Sequence, residues 1–227
     1  MRLRYFNMLS KKRNYLCKKT MDLFIYVFAA LFSVLNPLGA VPIFVGLTQD
    51  DSKQERSRIS LWTGINVFII LTISYFIGKY ALVFFGISID ALRIAGGIVI
   101  VTSGFALLTG NFSKKRGVNK KVASDAMQRN DIALSPLAIP MLAGPGSMSL
   151  LIAMYQEHTE VAQKVATCLA ILAVAFCIFL ILKSAHYISR ILGSSGIVAI
   201  SRVIGFIVIA IGVQYIANGV VTIFKIV

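Results

Sequence analysis

The sequence predicts an all-α membrane protein: six transmembrane helices forming two inverted-topology three-helix repeats, with the first and fourth helices broken by proline and glycine motifs. Three observations lead there. Of 227 residues, 57% are hydrophobic and only 14% charged, with a mean hydropathy of +0.81, a balance outside that of soluble globular domains. The apolar residues gather into six runs, each near the roughly 20 residues needed to cross hydrocarbon as a helix. All five prolines fall inside two of those runs, "LNPLGAVPIFVGL" and "LSPLAIPMLAGPGSMSLL".

The runs are Leu23–Leu47, Ile59–Phe85, Ala91–Thr109, Ile132–Met154, Val165–Leu182 and Ile197–Phe224. Short polar loops join them, so residues 21–227 read as a single transmembrane domain with no soluble part. Ser52 and Glu55 stand at capping-box spacing ahead of the second span and mark a helix start. Asp90 opens the third, while Glu157 and Glu160 sit between the fourth and fifth. No carboxylate is expected near the bilayer centre, which argues against an acidic proton relay. Asn66, Thr63, Thr72, Gln214 and Asn218 are polar groups within spans and are expected to face protein.

The two halves resemble each other. Arg93 aligned on Arg202 carries "RIAGGIVIVTSGFALLTG" onto "RVIGFIVIAIGVQYIANG" without a gap. Small residues then recur every seven positions in both: Gly96, Ser103 and Gly110 in one, Gly205, Gly212 and Gly219 in the other. Each set lies along one helix face and admits a neighbouring backbone. Thr63 pairs with Thr167 and Lys79 with Lys183, and Pro37 and Pro42 pair with Pro140 and Pro145. Ordered offsets of this kind point to a duplicated three-helix unit, repeat one over about 21–110 and repeat two over about 132–227. Because three is odd, the second copy enters the membrane from the opposite side, an architecture typical of secondary transporters.

Charge is placed at the margins. The net charge is +14, with seven basic residues in 1–20 and six in the 110–131 loop. Within a membrane protein these read as orientation signals or contacts with anionic lipid, not as a nucleic-acid surface. Leaving out 1–20, the basic loops put 110–131 in the cytoplasm and both termini outside. Cys17, Cys168 and Cys177 lack a metal or disulfide spacing, and His158 and His186, at segment ends, read as interfacial. No metal or cofactor is expected.

Proline lacks an N–H and its ring clashes with the carbonyl four residues back, so both motifs should break helices. The freed polar groups cost several kcal/mol each in lipid and survive only inside protein or beside water. Asn36 and Gly144 lie about 13 and 12 residues into their spans, roughly 20 and 18 Å at about 1.5 Å per residue, close to the midplane. Half-helices starting there would direct their amide ends inward. Packing kinks are the plainer alternative.

"NPLGAVPIF" together with "PLAIPMLAGPGSMSLLI" resembles the MarC family of bacterial integral membrane proteins, over about Met21 to the C-terminus. The resemblance implies a multi-pass protein of the bacterial cytoplasmic (inner) membrane, within a six-span group of neutral amino acid transporters distantly similar to LysE-type exporters. Matched by position, it offers Asn36, Pro37, Gly39 and Pro42, then Pro136, Pro140, Gly144, Pro145, Gly146 and Ser147, as substrate-binding candidates. Residues 1–20 depart from the family pattern and read as a basic extension, or as sequence preceding a start at Met21.

No HExxH motif and no Ser/His pair occurs within the spans, so an enzyme is not expected. The expectation is a secondary transporter of small solutes, chiefly small neutral amino acids, with a coupling ion if one is used. The alternatives are a non-transporting regulatory or scaffolding component and an exporter of another small metabolite.

Overall fold

The computed structural model describes residues 20–109 and 142–224, and every described element is helical. Helices α1 (Thr20–Leu35) and α2 (Pro37–Leu47) form one apolar run bent by 40° at Asn36. Phe24, Phe28 and Phe32 stack along α1 at 6.2 and 5.8 Å, an i,i+4 ladder of rings. Helix α2 ends at Thr48, whose hydroxyl donates to the Phe44 carbonyl at 2.7 Å. Arg56 of the next helix donates to the Thr48 and Gln49 carbonyls at 2.9 and 2.8 Å, occupying acceptors that a helix C-terminus leaves bare.

Helix α3 (Lys53–Phe84) opens with the expected capping box: Ser52 N–H donates to Glu55 Oε2 at 2.8 Å and Glu55 N–H to Ser52 Oγ at 3.3 Å. It stops at Gly86, where φ is +65°, and Ile87 N–H reaches back to the Leu82 carbonyl at 2.9 Å. That glycine adopts the left-handed turn at low cost, and Ser88 caps α4 (Ile89–Leu108) two residues later. Helix α5 (Pro145–Glu157) is short. Helix α6 (Val161–Lys183) follows after a three-residue link, and α7 (Ala185–Phe224) is interrupted at Gly193, with φ +62° and ψ 175°.

Four helical stretches, α3, α4, α6 and Ser195–Phe224 of α7, are long and apolar enough to cross a membrane. The bent pair α1–α2 makes a fifth if it is one span. The expected fourth span is described only from Leu142 onward, so a count of six crossings and an inverted arrangement extend into residues outside the description. The basic loop and the extension ahead of Thr20 lie outside it too.

The tightest packing joins α4 to α7 along glycines. A Cβ on Gly97 would stand 2.7 Å from the Gly212 carbonyl, one on Gly104 2.8 Å from the Gly205 carbonyl, and one on Gly219 2.9 Å from the Asp90 carbonyl. As the numbers rise on α4 they fall on α7, so the helices run antiparallel with backbone against backbone every two turns. Gly205, Gly212 and Gly219 therefore lie where the seven-residue spacing puts a close-packed face. On α4 the seam uses Gly97 and Gly104 in place of Gly96 and Ser103. Gly96 faces Ser149 of α5 instead, and Ser103 donates to its own Val99 carbonyl at 2.8 Å. Gly110 falls outside the described residues.

Around this centre a single buried cluster includes Leu31, Leu35, Phe44, Leu71, Ile100, Leu150 and Ile178. The outer surface is equally apolar, with Val83 79%, Phe84 82% and Phe206 69% exposed. Such a surface suits hydrocarbon and would aggregate in water. Thr63 and Thr167, fully buried on α3 and α6, satisfy their hydroxyls on the carbonyls of Ile59 and Gln163 at 2.8 and 3.0 Å. Gln214 and Asn218 do not face protein: they are exposed and pair with each other at 2.8 Å, one turn apart.

Candidate functional site at two helix starts

Asn36 is where the first span breaks. The ladder of α1 ends as Asn36 N–H meets the Phe32 carbonyl at 3.0 Å, and Pro37 brings no N–H to extend it. Asn36 turns into the left-handed region, φ 42° and ψ 67°, the sole non-glycine residue to do so among the described residues. Asparagine tolerates that region better than other side chains. From there its Oδ1 accepts the Gly39 amide at 3.3 Å and caps α2. The side chain is fully buried, yet its Nδ2 has no hydrogen-bond partner among the described residues. A buried amide donor left unpaired costs about 1–3 kcal/mol.

The second motif starts a helix differently. Pro145 takes the first position of α5, as Pro37 does in α2, behind an extended Gly144 that offers no side-chain cap. Ser147 donates its hydroxyl to the Gly144 carbonyl at 2.8 Å, so the first-turn amides receive no side-chain acceptor. Gly146 is in the core because a Cβ there would stand 2.9 Å from Ile100 Cγ1. Pro37, Gly39, Gly144, Gly146 and Ser147 are buried; Pro42 and Pro145 are exposed. Pro136 and Pro140 lie outside the described residues.

Pro42 does not interrupt its helix. It sits in the second turn of α2, where its fixed φ suits the helix and only the Leu38 carbonyl loses a donor. The helix starts that correspond are thus Pro37 and Pro145, a different pairing from Pro42 with Pro145.

The two starts point inward from opposite faces. Helix α2 ends beside Arg56, at the N-terminus of α3, and α5 ends at Glu157, which holds Arg93 in the first turns of α4 at 2.6 Å. Since α4 begins where α3 finishes, those ends lie on opposite sides. With 11 and 13 residues, the half-helices reach about 16 and 20 Å inward at about 1.5 Å per residue. Leu35 and Ala40 beside one start, and Leu142, Ala143 and Leu150 beside the other, share the same buried cluster. What the geometry offers is two uncharged sets of amide donors, of which only Gly39 is capped by a side chain, and one unpaired carboxamide N–H₂. Among the described residues no group of three metal-ligating side chains occurs.

Several polar contacts had no clear signal in the sequence. Arg93 bridges Asp90 at 2.8 Å and Glu157 at 2.6 Å, joining α4 to α5 across 64 positions. His158, read as interfacial, is buried, with Nδ1 3.2 Å from Thr167 Oγ1. Thr167 gives its proton to Gln163, so it accepts from His158 and fixes the neutral ring as the Nδ1–H tautomer.

Burial lowers the His158 pKa, against a smaller opposing pull from Glu157. The unfolded chain therefore takes up this proton first as pH falls, so folded stability declines as pH drops through the ordinary value near 6.5. The thermal midpoint of the purified protein in detergent should fall between about pH 7.5 and about pH 5, a window that brackets that value. It should fall by less in His158→Gln. Equal falls in both proteins would remove His158 from the explanation.

Spans without charged centres, half-helices meeting from two sides and an apolar exterior define a multi-span integral membrane protein of all-helical build. Comparison with known proteins is more specific. The profile of the MarC family integral membrane proteins matches residues 21–224, and the chain belongs to that family. It is 36% identical to the UPF0056 inner membrane protein MarC of Salmonella paratyphi A, over 90% of this chain and 98% of that one. It is 34% identical to the UPF0056 membrane protein YhcE of Escherichia coli, over 87% and 91% of the two chains. A UPF0056 membrane protein of Methanocaldococcus jannaschii is 39% identical over 88% and 98%. No solved structure matches.

Proposed function

We propose that this protein is a secondary transporter of small solutes in the bacterial inner membrane, with small neutral amino acids as preferred substrates and no enzymatic activity. The observation that carries the reading is Asn36: a buried carboxamide whose N–H₂ lacks a partner among the described residues, at a break where a half-helix begins. Polar groups at membrane depth are tolerated only inside protein or beside a water-filled cavity, and an unpaired donor at a helix break is the kind of group a ligand can satisfy. A zwitterion fits such a site without a fixed counter-charge, its carboxylate at the amide ends and its ammonium toward carbonyls freed by proline. Antiparallel α4 and α7, and half-helices entering from opposite faces, support the inverted-repeat arrangement behind this reading.

The test is uptake of labelled alanine, glycine and serine into proteoliposomes, with and without a Na⁺ or proton gradient. Saturable uptake of at least one is expected. Absence of flux under every gradient would favour export of another metabolite or a non-transporting role. Orientation is checked separately: reporters fused after Gly117 and after Val227 should give cytoplasmic and external signals, and the reverse pattern would show that the basic residues of 1–20 dominate.

A further inference from the structure

We propose that the groove between α3 and α6 binds an anionic phospholipid, an acyl chain lying in the groove and the phosphate between Arg58 and Lys183. Leu61, Ile65 and Phe68 form one wall, and Leu172, Phe176 and Phe179 the other. Gly64 forms the floor: its missing side chain lets α6 approach until a Cβ would be 3.2 Å from both the Ala175 carbonyl and Phe179 Cβ. Among the described residues, the lining of the trough that results is almost wholly apolar.

Cations stand at one end of it. Arg58 precedes Leu61 by three residues and Ile65 by seven, which places it on the groove stripe of α3. Lys183 follows Phe179 by four on α6, and its Nζ lies 5.4 Å from the Phe179 ring. Gly64 meets Phe179, while Tyr75, farther along α3, packs at 5.1 Å on the Tyr155 ring, over which Lys164 from the first turn of α6 stands at 4.5 Å. The helices are therefore antiparallel, and the steps from Gly64 back to Arg58 and from Phe179 on to Lys183 lead to the same end. Both residues are exposed, and neither is ion-paired among the described residues. Arg93, at the opposite face, holds two carboxylates.

Two unpaired cations capping a groove that accepts hydrocarbon match a lipid whose head is negative and whose tail is apolar. A zwitterionic head matches less well, since its own ammonium opposes the pair. A soluble anion would use the cations and leave the groove unfilled. The inference does not depend on transport.

Trp62 supplies the readout. It is the single tryptophan of the chain, is 50% exposed, and lies four residues after Arg58 and three before Ile65, at the groove rim. The full-length protein is reconstituted in phosphatidylcholine vesicles containing the same fraction of either brominated phosphatidylglycerol or brominated phosphatidylcholine, and Trp62 quenching is compared. Quenching by the glycerol lipid should correspond to about fivefold or greater local enrichment, the effect of about one cation near a surface. Arg58→Gln with Lys183→Gln should reduce it to the bulk mole fraction. Arg190→Gln with Arg202→Gln, which removes two exposed charges of α7 that line no part of the groove, should leave it unchanged. Equal quenching by both lipids in the wild type would overturn the proposal. So would enrichment that survives the first double variant, or an equal loss in the second, which would mean diffuse surface charge.

Discussion

Gly212→Leu is expected to remove most folded protein from detergent extracts of the membrane and to lower the thermal midpoint of whatever remains. The cause is local. A Cβ at Gly212 would lie 2.7 Å from Val101 Cγ2 and 2.8 Å from both the Gly97 carbonyl and the Val101 nitrogen. Two of those three atoms are backbone, so a helix must shift. Overpacking a well-filled site costs typically about 1–3 kcal/mol where side chains can yield. Here the displaced helix would also lose the contacts at Gly205 and Gly219. Gly212→Ala should show a smaller loss of the same sign. Gly46→Ala is the matched control: nothing lies within 4 Å of its Cβ position, in a helix, so alanine should be neutral or stabilise by about 0.5–1 kcal/mol. A normal yield and midpoint for Gly212→Leu would show that the glycine seam does not hold α4 to α7.

The second large effect is on flux at Asn36. Three substitutions separate its roles. Asn36→Gly keeps the left-handed turn, since glycine adopts φ 42° readily, and deletes the carboxamide, the loss of its cap on Gly39 costing only a few tenths of a kcal/mol at a glycine N-cap. Asn36→Asp keeps the oxygen that caps Gly39, but a carboxyl fully buried at the break must either hold a proton, which restores a donor, or carry an unpaired charge that costs several kcal/mol. Asn36→Ala loses the cap and strains the turn, about 1 kcal/mol for the first and about 1–2 for the second. If Nδ2 contacts substrate, the glycine variant should fold normally and lose at least about tenfold of uptake, equivalent to about 1.4 kcal/mol. The alanine and aspartate variants should lose stability as well. Wild-type uptake by folded Asn36→Gly would make the residue a turn former and nothing more.

How much of this was legible beforehand depends on the distance over which each feature is encoded. The break at Asn36-Pro37 was, because proline acts on its own turn, and so was the Ser52–Glu55 box. Pro42 departs from the expected break for a subtler reason: proline in the second turn of a half-helix meets little helix behind it. The α4 seam was seen in the right period and on the neighbouring face. Gly96 and Gly97 are adjacent and differ by about 100° around the helix, and only the partner helices decide that Gly97 meets α7 while Gly96 meets Ser149. The bond from His158 to Thr167 needed a turn geometry that a sequence pattern does not reveal.

The candidate site was legible in its chemistry and not in its state. Two proline motifs announced two helix starts, and the structure places both in one buried cluster. Nothing in the chain signalled that one would be capped by its own asparagine and the other left without a side-chain cap. That asymmetry depends on single backbone angles, which spacing does not encode.

The antiparallel glycine seam also governs how lineages of this protein can drift in length. One residue inserted between Gly97 and Gly104 would turn every later α4 position by about 100° and advance it about 1.5 Å. The small residue due against Gly205 would be replaced by a larger neighbour. Deletions do the same in the other direction, and compensation would require a simultaneous change on α7. Substitution can be gradual here; insertion cannot. Gaps between relatives should therefore accumulate in the connecting segments and be excluded from Asp90–Gly104 and Gly205–Gly219, making these two stretches the fixed ruler against which the rest of the chain varies.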